Sequence, residues 1–440
     1  MKCNLSHLRD DPITLIVVLM FVSLASMHVV AQPTPVILRL RGAGIGSDWS
    51  MQGHGTDVQV VTNLVYVTWG NESDTNHPGG LEIFSVNNPI FPIRLGGHES
   101  HSEVNALQKA GRYVYLAEGA SKTSTNDPGV FEIVDLNNPL KLEHVASAGT
   151  LGRANGLRIL GDYAYLAEST RWTGSNLVGA LEIFDIRTPT NPVCIGRYDT
   201  GGSVTSIDVA GAYAYLADGV NDFLVLDISD ARNPKPVSSY SSNPSEDACQ
   251  IEPGRPAHYV QVVGNRAYSA GDNGLNVVDV SIPAQPVRLG HNFCLPVYSL
   301  HVEGTLAFVT MWSSLRNTFL LGVVDATDPA SPVMVGRADG YGFSGMQLVS
   351  RWIYSASIPM LVYENTGQPA FTSLTHNYDS LILTWDFAPG FALQQTSSIQ
   401  NPNWSDVPGS ADLTRLELPA ADGAHFYRLA RTYLSNGFKN

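Results

Sequence analysis

From residue 54 to residue 364, apolar and polar positions alternate in short runs, and the runs recur as a repeating unit. The alternation has period two and is rich in β-branched and aromatic residues, which predicts strands; no segment sustains a 3.6-residue period. In the best-defined unit the pattern predicts four strands, at Val104–Ala110, Tyr113–Glu118, Phe131–Leu136 and Leu142–Ala146. The second strand of each copy carries an aromatic anchor: Tyr66, Tyr115, Tyr165, Tyr215, Tyr268, Phe308 and Tyr354. These lie 49, 50, 50, 53, 40 and 46 residues apart, the spacing of one four-stranded sheet per copy. A sheet of that size cannot bury both faces alone, so successive copies must pack on one another.

The third strand repeats most regularly. It reads Leu81-Glu82-Ile83-Phe84-Ser85, Phe131-Glu132-Ile133-Val134-Asp135, Leu181-Glu182-Ile183-Phe184-Asp185, Phe223-Leu224-Val225-Leu226-Asp227, Leu275-Asn276-Val277-Val278-Asp279 and Leu321-Gly322-Val323-Val324-Asp325. Asn-Asn-Pro or a similar turn follows. The terminal Asp recurs because its side chain can cap that turn. With these turns the strands resemble the LVIVD-repeat family of secreted and surface bacterial proteins, over roughly residues 55–364. The resemblance implies a β-propeller and no defined activity.

The seventh copy lacks a fourth strand, and Pro35-Val36-Ile37-Leu38-Arg39-Leu40 matches the missing pattern. The expected fold is therefore all-β: a seven-bladed β-propeller closed by the N-terminal strand, with six or eight blades as alternatives. Closure in this way leaves no open sheet edge. After Gly367 the repeats stop. Short alternating strands at Leu381–Trp385, Phe391–Gln394, Trp404–Val407, Leu416–Leu418 and Phe426–Leu429 predict a small β-sandwich-like module. Residues 1–31 read as a secretory signal, with Lys2 and Arg9 before the apolar stretch Ile13 to Met27 and a small-residue site at Val29-Val30-Ala31. That stretch is shorter than the ~20 residues of a spanning helix. The expected organisation is a signal at 1–31, a propeller at 32–367 and a C-terminal module at 368–440, in a secreted, periplasmic or cell-surface protein that is not integral to a membrane and is a monomer.

A formal net charge of −14 argues against nucleic acid and anionic membranes as partners. Of the cysteines left in the mature chain, Cys249 and Cys294 lie in loops joining repeats and are candidates for a disulfide. Cys194, in a strand, reads as a small buried hydrophobe.

The innermost strand of a propeller blade lines the central channel. One position of that strand is polar in all seven copies: Gln59, Gln108, Arg158, Asp208, Gln261, His301 and Gln347. These are the ligand-binding candidates, set against the plainer reading of mutual hydrogen bonding in a solvated channel. A second ring, Thr56, Asn105, Asn155, Thr205, His258, Tyr298 and Ser344, marks the loop-rich end of the channel strands. There His258 and Tyr298 are rim candidates. So are Glu118, Glu168 and Asp218, which share one position in three successive copies and are the candidate for Ca2+ if any cofactor is bound. Trp69, Trp172 and Trp312 hint at an aromatic patch on the same side. His98 and His101 have a metal-compatible spacing, but the sequence supplies no third ligand. No catalytic signature is present. The expectation is an exported non-catalytic scaffold binding a protein, glycan or small polar ligand. The alternative is a hydrolase or lyase using His258, His301, Asp208 and Arg158 at the channel mouth.

Overall fold

The computed structural model describes residues 38–44, 54–71, 77–89, 91–119, 129–173, 176–219, 221, 223–241, 257–272, 274–292, 296–313, 318–340, 345–349, 352–355 and 360–365. Beyond these it describes 371–376, 380–385, 391–396, 405–408, 415–419 and 426–431. Among them there is no helix, and so none long and apolar enough to cross a membrane. The signal-like segment, Cys249, Cys294 and Ser344 lie outside the described residues.

Six antiparallel sheets are each made of four consecutive strands, and these are propeller blades. The first comprises His54–Val61, Leu64–Gly70, Gly79–Ser85 and Ile93–Ser100, and the second Val104–Ala110, Tyr113–Glu118, Val130–Asp135 and Glu143–Gly149. The third comprises Arg153–Leu160, Tyr163–Thr173, Asn176–Asp185 and Val193–Asp199, and the fourth Ser206–Ala210, Tyr213–Ala217, Phe223–Asp227 and Lys235–Tyr240. The fifth comprises Ala257–Val263, Arg266–Gly271, Gly274–Asp279 and Val287–Asn292, and the sixth Val297–Glu303, Leu306–Ser313, Thr318–Asp325 and Val333–Gly340. Blades of consecutive strands thus number six, not seven. The last repeat supplies only Met346–Val349, Trp352–Ser355 and Met360–Asn365, and Leu38–Gly44 pairs antiparallel with Met360–Asn365 to give a composite four-stranded sheet.

The core lies between sheets. Phe131 of the second blade sits 5.1 Å from Phe184 of the third, in one buried cluster with Tyr115, Leu157 and Leu166. Equivalent clusters lie at each later seam, and Tyr354 of the composite sheet packs with Val58, Val65 and Phe84 of the first blade. Each recurrent Asp caps its turn: Asp135, Asp185, Asp227, Asp279 and Asp325 each accept from the backbone N–H two residues on, at 2.8–3.1 Å. Cys194 is exposed rather than buried, because its strand is the outermost of its blade. Trp69 is buried, so it belongs to the core and not to a surface patch.

The C-terminal region forms two three-stranded sheets, Phe371–His376 with Ser380–Trp385 and Arg415–Pro419, and Ser405–Asp406 with Phe391–Thr396 and Phe426–Arg431. The first of these strands is not among those predicted from the sequence.

Candidate functional site

The innermost strands of all seven four-stranded sheets enclose a cavity of about 590 Å3. Its walls are layered. Thr56, Asn105, Asn155 and Thr205 stand at the strand starts; Asp57, Ala106, Gly156, Ser206, Tyr259, Ser299 and Gly345 come next; Gln59, Gln108, Arg158, Gln261, His301 and Gln347 lie deeper. Six of the seven predicted channel residues therefore line the cavity. Asp208 does not, and instead accepts from Arg158 Nε at 2.8 Å. The two upper layers are adjacent in sequence because a β-bulge breaks the pairing there, for example between Gly55 and Asp57 or Val104 and Ala106, so both residues reach the cavity.

The deeper ring is largely occupied by holding blades together. Gln59 Oε1 accepts from Lys109 N at 2.5 Å, Gln108 Oε1 from Ile159 N at 2.7 Å, Asp208 Oδ2 from Val262 N at 2.7 Å and Gln261 Oε1 from Val302 N at 2.7 Å. Gln347 Oε1 accepts from Val60 N, linking the end of the repeat array to its beginning. An innermost strand is a sheet edge, and its outward N–H groups need acceptors. The first, second, fourth, fifth and composite sheets each supply one to the next. The upper ring works similarly through carbonyls: Asn105 Nδ2 donates to Ala154 O at 2.8 Å, Asn155 Nδ2 to Val204 O at 3.0 Å and Thr205 Oγ1 to His258 O at 2.8 Å.

The titratable groups in the interior of the cavity are Asp57, Arg158, His301 and Tyr259. Burial pushes the Asp57 carboxyl up to about 6, although Leu107 N, Val58 N and the Arg158 charge pull the other way. His301 is driven down to about 4 by burial and then by Arg158. Tyr259 is raised to about 12 by burial, with a smaller push from Asp57. At the mouth, Glu103 is bridged by His54 at 2.9 Å and by Arg153; burial pushes Glu103 up, but these two partners outweigh it and leave it below the usual range. Asp57 and Tyr259 were not singled out from the sequence, yet the signal was there: each stands two residues before a member of the polar ring, on the same side of its strand.

The predicted rim is corrected by the structure. Glu118, Glu168 and Asp218 do not line the cavity or meet one another; each is buried within its own blade. Asp218 accepts from Asn221 N at 2.7 Å. Glu168 faces Glu182, and Arg197 Nη1 bridges them at 3.4 and 2.6 Å. Glu118 accepts from Ser102 N at 3.2 Å and faces Glu132, whose Oε1 is 2.9 Å from His98 Nε2 and whose Oε2 accepts from Ser100 Oγ at 3.0 Å. Burial and then the neighbouring carboxylate hold Glu118 and Glu168 well above the ordinary range. His258 pairs with Asp272 at 3.5 Å and Tyr298 packs edge-on against Phe319, both outside the cavity lining.

The chain carries LVIVD repeats at residues 151–200, 201–245 and 254–291. No curated protein matches it. Among solved structures it is similar to the computationally designed Ika8 protein, at 11% identity and a TM-score of 0.48, over 74% of this chain and 99% of that one. It is also similar to a functionally unknown protein from Desulfotomaculum acetoxidans DSM 771, at 14% identity and a TM-score of 0.48, over 65% of this chain and 89% of that one.

Proposed function

We propose that this LVIVD-repeat propeller is a non-catalytic binding scaffold that takes a small polar ligand, or the polar end of a protein or glycan, into its central cavity. The observation that carries the reading is the cavity itself. Its volume falls within the range of small-molecule sites, with Asp57, Arg158 and a neutral His301 as placed polar groups in its interior and Glu103 and Arg153 at its mouth. The mouth lies at the strand starts, the end where the sequence inserts its longest loops. Catalysis is disfavoured because the acids are already committed: both Asp57 oxygens accept backbone N–H groups, and Asp208 is held by Arg158 and Val262 N.

The composite sheet is read as a seventh blade that closes the ring, supported by the bond from Val60 N to Gln347 and by the seam holding Tyr354. The two C-terminal sheets are read as the faces of a small sandwich. Export as a monomer to the periplasm, cell surface or medium is supported by the basic and apolar segment preceding Gln32 and by a ring without free edges.

A thermal-shift screen of polar metabolites and oligosaccharides tests the cavity. A hit should raise the melting temperature of the wild type and not of His301→Ala or Arg158→Gln. A hit retained by both variants places the ligand elsewhere. The second reading, a hydrolase or lyase at the mouth, draws on Asp57 titrating near neutrality beside Arg158. It predicts that a bound solute is turned over and that Asp57→Asn binds it without turnover.

A further inference from the structure

Outside the cavity, at the seam between the first and second blades, the chain gathers His98, His101, Glu118 and Glu132. One ligand atom from each of His101, Glu118 and Glu132 lies within 4.8 Å of the others. Glu118 and Glu132 are both fully buried; Glu118 Oε2 accepts from Ser102 N, while Glu132 has His98 Nε2 at its Oε1 and Ser100 Oγ at its Oε2. Glu118 Oε1 is buried with no hydrogen-bond partner among the described residues. Two buried carboxylates facing one another require a proton or a cation between them.

The flanking blades show how this fold normally supplies the cation. In the first, Arg94 pairs with Glu82 through both guanidinium and carboxylate, with Nη2 3.0 Å from Oε1. In the third, Arg197 spans Glu182 and Glu168. Strand register puts His144 at the place of Arg94, opposite Val134 and Phe84 respectively. It puts Ser147 at the place of Arg197, opposite Glu132 and Glu182. The second blade therefore lacks both arginines, and imidazoles stand near its carboxylates instead: His98 from the first blade, His101 from the connection between the two, and its own His144 with Nε2 3.8 Å from Glu132 Oε1.

We propose that His101, Glu118 and Glu132 bind one divalent transition-metal ion of the Zn2+ type, with His98, Ser100 and Ser102 orienting the carboxylates. A mixed set of imidazole nitrogen and carboxylate oxygen suits Zn2+, whereas Ca2+ takes six to eight oxygens. A tetrahedral ion with bonds of about 2.1 Å holds its ligand atoms about 3.4 Å apart, so a group already within 4.8 Å closes by at most about 1.4 Å on binding. His101 is exposed and can swing inward, and the same exposure provides the route of entry. A water completes the fourth position. The hydrogen bond from His98 to Glu132 is the outer contact that metal-bound carboxylates usually have.

The test uses the full chain, stripped with chelator and titrated with ZnCl2 by calorimetry, with Co2+ absorption as a second readout. One tight ion per chain is expected, and His101→Ala and Glu118→Gln should each weaken it by about 10- to 100-fold. His77→Ala, which removes an exposed histidine paired with Glu99, should leave it unchanged. If the wild type binds no stoichiometric ion, or His101→Ala binds as tightly as the wild type, the carboxylate pair holds only a shared proton and the proposal fails. Circular dichroism checks that Glu118→Gln is folded; should it not be, His101→Ala, at an exposed position, decides alone.

Discussion

Single side chains in the cavity have two duties, and Asp57 shows the conflict between them. Its oxygens hold Val58 N and Leu107 N, which favours the carboxylate, yet burial favours the neutral acid and wins. The folded-state pKa of about 6 lies above the ordinary 3.8. At Asp57 the folded protein thus holds a proton that the unfolded chain has already lost, so the contribution of this group to stability falls as pH rises from about 4 to about 6 and is constant above that. Asp57→Asn removes this titration. Urea midpoints at pH 4 and pH 7 should show the variant gaining on the wild type by roughly 2 kcal/mol over that interval, and equal pH slopes would refute it. The same titration makes the cavity more negative above pH 6, so an anionic ligand should bind more weakly there.

At the scale of elements, the turn between the first and second strands recurs with a left-handed residue. Gly111, Gly161, Gly211, Gly264 and Gly304 have φ of 59–62°, but the first blade has Thr62 at φ 57°. A β-branched side chain is strained there, and Thr62 is exposed, so it packs against little that offsets the strain. Thr62→Gly should stabilise the protein by about 1 kcal/mol and Gly161→Ala should destabilise it by a similar amount, both read from denaturant unfolding. A destabilised Thr62→Gly would mean that its hydroxyl contacts with Val61 O and Asn63 matter more than the backbone. The elements themselves were largely legible: the strands around Tyr115 and the Asp caps follow from alternation and turn chemistry. The hairpin extension to Thr173 and Asn176 was not, because an insertion carries no repeat signal.

For the molecule as a whole, the informative bonds join the ends. Leu38–Gly44 covers the edge of Met360–Asn365, and Gln347 reaches Val60. Deleting residues 1–44 leaves a three-stranded last sheet with an exposed edge. The truncated protein should melt several degrees lower and associate with increasing concentration, seen by calorimetry and light scattering. An unchanged melting temperature would show that the N-terminal strand contributes no closure.

By itself the sequence determined the repeat, its four strands, the capped turns and the polar identity of the inner ring. All of these depend on local periodicity or on residues within one copy. Only the tertiary structure decided what the ring residues do and where the acids go. Gln59 and Lys109 are 50 residues apart, and no local pattern says that one side chain will satisfy the other's N–H. Glu118, Glu168 and Asp218 occupy one sequence position and were expected to share one rim. Strand pairing instead turned each into its own blade, where the neighbour opposite, an arginine in one case and histidines in another, sets its chemistry. Side-chain partners across a seam are chosen by the packing of sheets, and that information is absent from any single repeat.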